Sequence, residues 1–177
     1  MSAEQLSKLV DSVRVAASRV CPPEETAALV SAALQAHLPS RDILTPEQLA
    51  GDPDGYVQHV LHVEPDGLFS VVALVWRPGQ VTPIHDHLCW CVVGVVDGVE
   101  SEVRYEVTER EGNVFLSRAE VTENPTGSVC GIAPPGDIHE VRNAGTATAV
   151  SIHIYGADIS RVGSSIRRRY HLPVLVG

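Results

Sequence analysis

Hydrophobic residues follow two different spacings along the chain, and the change falls near residue 56. Before it, Leu6, Leu9 and Val13 recur at the intervals of a helix face, and Pro22 opens a second segment of this kind. After it, short valine-rich runs alternate with Gly, Pro, Asp and Asn turns. These runs cover residues 69–76, 91–96, 99–107, 114–116, 129–132 and 149–154. Short strands in this arrangement predict an antiparallel sandwich or barrel.

The pattern fits one mainly β domain, because 177 residues can bury a single core and the composition is ordinary, with 44% hydrophobic and 20% charged residues. The net charge of −9 argues against nucleic acid or an anionic membrane as partner. No apolar span of membrane length and no signal peptide is recognisable, so we expect a cytoplasmic protein with free cysteine thiols. The predicted layout is one domain over residues 1–177, with a helical region at 1–50, a β-barrel at 56–160 and a C-terminal extension at 161–177.

Three histidines carry the clearest chemical signal. His85 and His87 are one residue apart in a strand-like segment, so both side chains point to one face while Asp86 points to the other. His139 follows on a later predicted strand. A lone histidine is most often an ordinary core or surface residue, but three imidazoles on such strands predict a transition-metal site. Neutral imidazole suits Fe, Zn, Cu and Ni alike, so the histidines leave the metal open.

A second polar pattern lies on the last predicted strand of the barrel. Ser151, His153 and Tyr155 alternate with isoleucines, so they share one face of that strand. Taken alone, this alternation is typical of a half-exposed strand with its polar side in water. Together with the three histidines, it forms part of a recognisable family pattern.

The spacing around the histidines resembles the two sequence motifs of the cupins. The stretch 79–98 has the form of the first motif, with Cys91 where cupins usually carry a glutamate ligand, and the stretch 134–143 has the form of the second. The resemblance implies a cupin fold, a double-stranded β-helix or jelly-roll barrel with the metal inside it. Three neutral histidines leave a metal more electrophilic than a site with a carboxylate, which favours an anionic ligand such as a thiolate.

With the Ser-x-His-x-Tyr pattern added, the chain resembles the thiol dioxygenases of the cysteine dioxygenase family, and most of all the bacterial enzymes of the 3-mercaptopropionate dioxygenase type. The resemblance implies a mononuclear Fe(II) centre on His85, His87 and His139. It also implies that O2 oxidises a small thiol, 3-mercaptopropionate or cysteine, to the corresponding sulfinic acid. The partners are then a small-molecule thiol and O2, with the oligomeric state left between a monomer and a small homo-oligomer.

The resemblance further implies roles for four residues beside the metal. Ser151 orients His153, and His153 orients Tyr155, whose hydroxyl faces the bound substrate and oxygen. Cys91 stands where cysteine dioxygenases carry a cysteine that can form a thioether with this tyrosine, whereas the mercaptopropionate-type relatives have glycine there. A Cys91–Tyr155 thioether is one hypothesis for this residue, and a small buried hydrophobic side chain is the other.

The substrate carboxylate needs a cation, and arginine provides one as a bidentate fork. Gln58 stands where the family's cysteine enzymes carry an arginine, as it does in the mercaptopropionate-type relatives. Those relatives use an arginine beyond the catalytic tyrosine instead. Arg168 is the nearest match to it and Arg167 the next, although this basic run also fits a solvated surface.

Two other classes of function stay open at this point. One is a cupin enzyme that uses zinc, nickel or manganese for hydrolysis or isomerisation, since zinc on three histidines and a water is a hydrolytic centre. The other is a non-catalytic cupin that binds a metal or another ligand. The complete Ser–His–Tyr set argues against the second class, because a binding module needs no acid–base relay.

Overall fold

A computed structural model describes residues 2–175 of the protein. Its helices are α1 (Ser2–Ala17), α2 (Pro23–Ala36), α3 (Pro46–Leu49) and α4 (Ile159–Val162), with a short 3-10 helix at Arg41–Ile43. Its strands are β1 (Val57–Val63), β2 (Ser70–Trp76), β3 (His85–His87), β4 (Cys91–Asp97), β5 (Val99–Arg110), β6 (Asn113–Pro125), β7 (Val129–Ile132), β8 (His139–Asn143), β9 (Ala149–Tyr155) and β10 (Ile166–Arg169). Within this described part, no helix is both long and apolar enough to cross a membrane.

The strands form two five-stranded antiparallel sheets around a common interior. One sheet has the order β1-β2-β9-β4-β7, and the other has the order β10-β3-β8-β5-β6. Neighbours within a sheet are often distant in sequence, as β2 beside β9 and β3 beside β8, which is the crossing pattern of a jelly roll. The predicted double-stranded β-helix with an N-terminal helical region is confirmed.

The first sheet is covered on both faces, so its central strands β2 and β9 are buried along their whole length. Along β2, Val71 and Ala73 pack in the cluster formed with the helices, and Val72 and Leu74 pack in the interior cluster. β9 alternates in the same way, with its isoleucines toward the helices. The two-residue period of the strand thus turns the polar residues of β9 toward the interior.

The N-terminal helices close the outer face of this sheet. Leu9 and Val13 of α1 and Val30 and Leu34 of α2 are fully buried there. Gly94 of β4 permits the close approach, since a Cβ at this position would lie 2.8 Å from a methyl carbon of Leu34. Each such side chain contributes about 1.5–3 kcal/mol by its burial. The helical region therefore stabilises the sheet that carries the polar residues of β9.

The second sheet extends further than the hydrophobic pattern predicts. β5 and β6 form a long hairpin whose two-residue turn has positive φ at both Glu111 (52°) and Gly112 (75°). Most of β6 is exposed and polar, so a search for apolar runs detects only residues 114–116. The predicted extension contributes β10, which pairs with β3, while residues 176 and 177 lie outside the described part.

Candidate active site

Three buried histidines meet in the interior of the barrel. His85 and His87 lie on β3 and His139 lies on β8, where it is the cross-strand partner of His85. Their ring centroids are separated by 4.8 Å, 4.7 Å and 5.0 Å, and one nitrogen from each ring lies within 4.8 Å of the others. The structure therefore brings the three predicted ligands together, as a site that can hold one metal ion.

In each of the three histidines, Nδ1 lies within hydrogen-bond distance of an acceptor atom. Nδ1 of His85 lies 2.8 Å from the carbonyl oxygen of Pro83, and Nδ1 of His87 lies 3.0 Å from Oδ2 of Asp137. Nδ1 of His139 lies 2.6 Å from Oε1 of Glu102. We assign the proton of each ring to Nδ1, because all three partners are acceptors. Every Nε2 then keeps its lone pair for a metal.

The electrostatics of the site also suit a metal cation. Burial, reinforced by the neighbouring imidazoles, lowers the pKa of His85 to about 3, and burial lowers the pKa of His87 despite the bond to Asp137. Burial alone would raise the pKa of both Glu102 and Asp137, yet their bonds to the histidines bring each pKa below its usual value. Neutral nitrogen donors backed by two carboxylates fit a divalent non-haem metal.

The polar residues of β9 form a hydrogen-bonded chain beside the histidines. Oγ of Ser151 lies 3.0 Å from Nε2 of His153, and Nδ1 of His153 lies 3.1 Å from the hydroxyl of Tyr155. The Trp76 indole N–H donates to Oγ of Ser151 at 3.1 Å. Burial lowers the pKa of His153 to about 3 and raises that of Tyr155 well above its usual value, so both side chains are neutral at neutral pH.

One cavity joins this chain to the metal site. The three histidines of the site, His153 and Tyr155 all line it. Neutral polar side chains line the rest of its polar wall: Tyr56, Gln58, Thr82, Ser164 and Ser165. Among the described residues, no lysine or arginine side chain contributes to the lining. A small molecule that enters here meets a metal site, a phenol and neutral hydrogen-bonding groups.

Comparison with known protein families shows to which family the chain belongs. The family model described as cysteine dioxygenase type I matches residues 47–167, which include all three histidines and the Ser–His–Tyr set. The chain belongs to the cysteine dioxygenase type I family. It is accordingly a metal-dependent cupin with a three-histidine, non-haem metal site.

Solved structures resemble this cysteine dioxygenase family member only in fold. A conserved protein with a double-stranded β-helix domain from Klebsiella pneumoniae is 19% identical, with a TM-score of 0.47, and the match covers 68% of this chain and 92% of that one. An RmlC-like cupin protein from Desulfovibrio desulfuricans is 24% identical, with a TM-score of 0.46, and the match covers 68% of this chain and 98% of that one.

Cys91 lies next to the phenol of this cysteine dioxygenase-type site. Cys91 and Tyr155 are cross-strand partners in the pairing of β4 with β9, both are buried, and both line the cavity. Side chains of directly opposed residues have Cβ atoms about 4.5–5.5 Å apart. All four cysteines are free thiols in the structure, and burial raises the pKa of Cys91 well above its usual value.

Of the three predicted substrate-binding residues, one lines the cavity and two do not. Gln58 lines the cavity, whereas the guanidinium of Arg167 forms an ion pair with Asp86 and that of Arg168 lies over the ring of Tyr170, 5.6 Å from its centroid. The structure thus does not bring Arg167 or Arg168 to the cavity. The physical reason is a bulge between Ile166 and Arg168 in the pairing of β10 with β3, together with Asp86, which faces away from the metal site.

Sequence reasoning missed a third arginine and the two carboxylates behind the histidines. Arg169 is the cross-strand partner of His85 in the pairing of β10 with β3, and its positive charge acts against the rise that burial causes in the pKa of Tyr56. Asp137 lies two residues before His139, a spacing that could have indicated it. Glu102 had no signal, because β5 resembles an exposed, charged strand in sequence.

Proposed function

We propose that the protein is a thiol dioxygenase that uses mononuclear iron(II) to convert a small thiol and O2 into a sulfinic acid. The observation that carries this proposal is the Ser151–His153–Tyr155 chain, whose phenol opens into the same cavity as three neutral histidines. Membership of the cysteine dioxygenase type I family supports the same reaction. A hydrolytic zinc centre or a metal store has no evident use for a buried phenol held by a histidine and a serine.

The protein's own part in this reaction follows from the contacts of its side chains. Iron(II) bound by the three histidines would supply the positions at which a thiolate and O2 meet. Glu102 and Asp137 hold two of the imidazoles in the orientation that directs Nε2 inward. Tyr155 keeps its proton, because burial raises its pKa, and it can therefore donate a hydrogen bond into the cavity. His153 holds that hydroxyl in place from behind.

For the substrate, we propose 3-mercaptopropionate in preference to cysteine. Gln58 occupies the cavity wall as a neutral amide, and the described residues that line the cavity include neither Asp nor Glu to pair with the α-ammonium group of cysteine, a group that 3-mercaptopropionate lacks. Arg169, Arg168 and Arg167 are the candidate sources of positive charge at the outer end of the site. Replacement of each by Gln, followed by measurement of KM for 3-mercaptopropionate, identifies the one that acts. We expect the largest rise in KM for Arg169→Gln, because Arg169 pairs with His85 across the strands and its charge acts on Tyr56 of the cavity wall.

The Cys91–Tyr155 thioether is a further part of this proposal. Its formation breaks the S–H bond and one ring C–H bond and joins Sγ to the ring carbon, and the two electrons and two protons pass to O2, which becomes hydrogen peroxide. Intact mass spectrometry of aerobically purified protein measures this loss of two hydrogens, and Cys91→Ser provides the matched control that cannot form the bond. A mass that equals the unmodified chain under all conditions of turnover would leave Cys91 as a buried hydrophobic residue.

The function itself is tested by metal replacement. Apoprotein loaded with iron(II) should consume O2 and form a sulfinate from a small thiol, while the same protein loaded with zinc should not, because zinc has no redox chemistry. Hydrolytic activity of the zinc form, with no turnover of any small thiol by the iron form, would contradict the proposal.

A further inference from the structure

Glu100 is a buried acid that lies behind the Ser–His–Tyr chain. It belongs to β5 in the second sheet, is 1% exposed, and its carboxyl group faces the interior beside the Ser151 hydroxyl on β9 and the Trp76 indole on β2, both of which act to lower its pKa. Four polar side chains therefore stand in series, and the last of them opens into the metal cavity. In order, they are Glu100, Ser151, His153 and Tyr155.

The surroundings of Glu100 favour its protonated form. Within the described part of the chain, Oε1 of Glu100 has no hydrogen-bond partner, and its neighbours on β2 and β9 are neutral. The other titratable groups that face it are Glu102 on its own strand and Cys130 on β7, while its partner on β8 is the neutral Asn143. Burial raises the pKa of Glu100 to about 7; the charge of Glu102 adds to this rise and the neighbouring Ser151 hydroxyl opposes it.

In a chain of neutral hydrogen-bonding groups, the bonds can all point from donor to acceptor in either of two opposite directions. The protonation state of the group at the end of the chain selects the direction. When Glu100 is ionised, it accepts a hydrogen bond from Ser151. His153 then carries its proton on Nε2, and Tyr155 donates to Nδ1. When Glu100 is protonated, every bond reverses: His153 carries its proton on Nδ1, and the O–H of Tyr155 is free to point into the cavity.

We propose that Glu100 is the fourth member of this relay, a positioning residue that sets whether Tyr155 donates or accepts a hydrogen bond at the metal site. The proposal rests on the dioxygenase function proposed above, in which a bound thiol gives up its proton. The thiol proton passes to the oxygen of Tyr155. Tyr155, His153 and Ser151 each pass one of their own protons to the next member of the chain, and the proton of Ser151 arrives at Glu100. One S–H bond breaks, one O–H bond forms on the Glu100 carboxylate, and no electrons are transferred.

The first test needs neither iron nor substrate. In metal-free protein with labelled histidine, ¹⁵N NMR of the His153 ring reports which nitrogen carries the proton. We expect the proton to move from Nδ1 to Nε2 as the pH rises through about 7. Glu100→Gln, which cannot titrate, should abolish this change, whereas Glu109→Gln, an exposed replacement on the same strand, should preserve it.

The second test follows turnover of the iron-loaded protein. The value of kcat/KM reports the ionisation of the free enzyme, so wild type should lose activity by up to about tenfold per pH unit below the midpoint of Glu100. Glu100→Gln should lack this limb of the profile and show a lower plateau, and Glu109→Gln should match wild type. A merely structural role of Glu100 would lower the plateau but leave the limb in place.

The outcomes separate this proposal from the function on which it rests. A wild-type protein that forms no sulfinate contradicts the dioxygenase function, while the NMR result still decides the relay. A His153 proton that does not move with pH in wild type, or that moves equally in Glu100→Gln, overturns the proposal. If Glu100→Gln does not fold, infrared spectroscopy of wild type decides: the C=O band of the buried acid must disappear with the same midpoint as the change at His153, and different midpoints overturn the proposal.

Discussion

Glu102→Gln removes one negative charge from behind the metal site and leaves the shape of the side chain unchanged. Oε1 of Glu102 accepts a bond of 2.6 Å from Nδ1 of His139, and both side chains are almost completely buried. The bond lowers the pKa of Glu102 against the effect of burial, so this carboxylate is ionised at neutral pH. Glutamine can still accept the hydrogen bond through its amide oxygen. The variant therefore tests the charge, and not the bond itself.

The expected magnitude follows from the kind of bond that is weakened. A hydrogen bond to an ionised acceptor is about twice as strong as a neutral one. Loss of the residue that orients a metal-binding histidine typically costs about 10–100-fold in metal affinity. Because this bond is short and shielded from water, we expect the upper part of this range, up to about 2.7 kcal/mol of binding free energy.

An anaerobic competition titration with a chromophoric chelator measures the iron(II) affinity of wild type, Glu102→Gln and Glu109→Gln. The control removes an exposed glutamate from the same strand and should leave the affinity unchanged. Thermal unfolding of the metal-free proteins shows whether each variant is folded. A folded Glu102→Gln with the iron affinity of wild type would show that the charge of Glu102 does not support His139 as a ligand.

Three further predictions concern the relay and the core. Tyr155→Phe should lower kcat by about 100-fold with little change in iron content, since it removes one hydroxyl that acts on the reacting groups; unchanged turnover would contradict that role. The pKa of Glu100 is about 7 in the folded protein, whereas the reference pKa of a glutamate is 4.5. The contribution of Glu100 to the free energy of unfolding is therefore complete below pH 4.5, and it is lost as the pH rises through 7. Urea unfolding should therefore show Glu100→Gln gaining up to about 3 kcal/mol relative to wild type between these limits, and a pH-independent difference would refute this. Leu34→Ala should lower the free energy of unfolding by about 2–5 kcal/mol, because Leu34 is 0% exposed beneath the first sheet, and a loss under 1 kcal/mol would show that the helices contribute little.

Local periodicity explains what could be predicted from the sequence. A strand repeats every two residues, so His85 and His87 must share one face, as must Ser151 and His153, whatever the rest of the fold does. In the structure, His85, His87 and His153 line the interior cavity, and Ser151 is hydrogen-bonded to His153. The place of His139 needed more than periodicity, and it came from the resemblance of its segment to a known motif.

Long-range packing explains what could not be predicted. Along β5, Glu100 and Glu102 are the buried interior residues, whereas Val103 and Tyr105 pack on the other face against residues 170–174. The apolar face of this strand thus points away from the metal cavity, because the C-terminal segment covers it. A sequence pattern shows that a face is apolar but not which neighbour covers it, so both acids resembled exposed charges.

The same limitation applies to the arginines of β10. An ideal strand would place Ile166 and Arg168 on one face, and Arg168 would then follow Ile166 toward the cavity. The bulge between them breaks this alternation, Arg167 pairs with the buried Asp86, and Arg169 lies opposite His85. A bulge depends on the pairing partner, so it could not be found in the segment's own sequence.

In the reaction that we propose, both atoms of one O2 molecule are transferred to a thiol bound in this cavity. Turnover of 3-mercaptopropionate by iron-loaded protein under ¹⁸O2, followed by mass spectrometry of the product, measures this directly. We expect a sulfinate that carries two ¹⁸O atoms, with one O2 consumed for each sulfinate formed. A product labelled at one oxygen or none, or O2 consumption that yields only disulfide and peroxide, would contradict it.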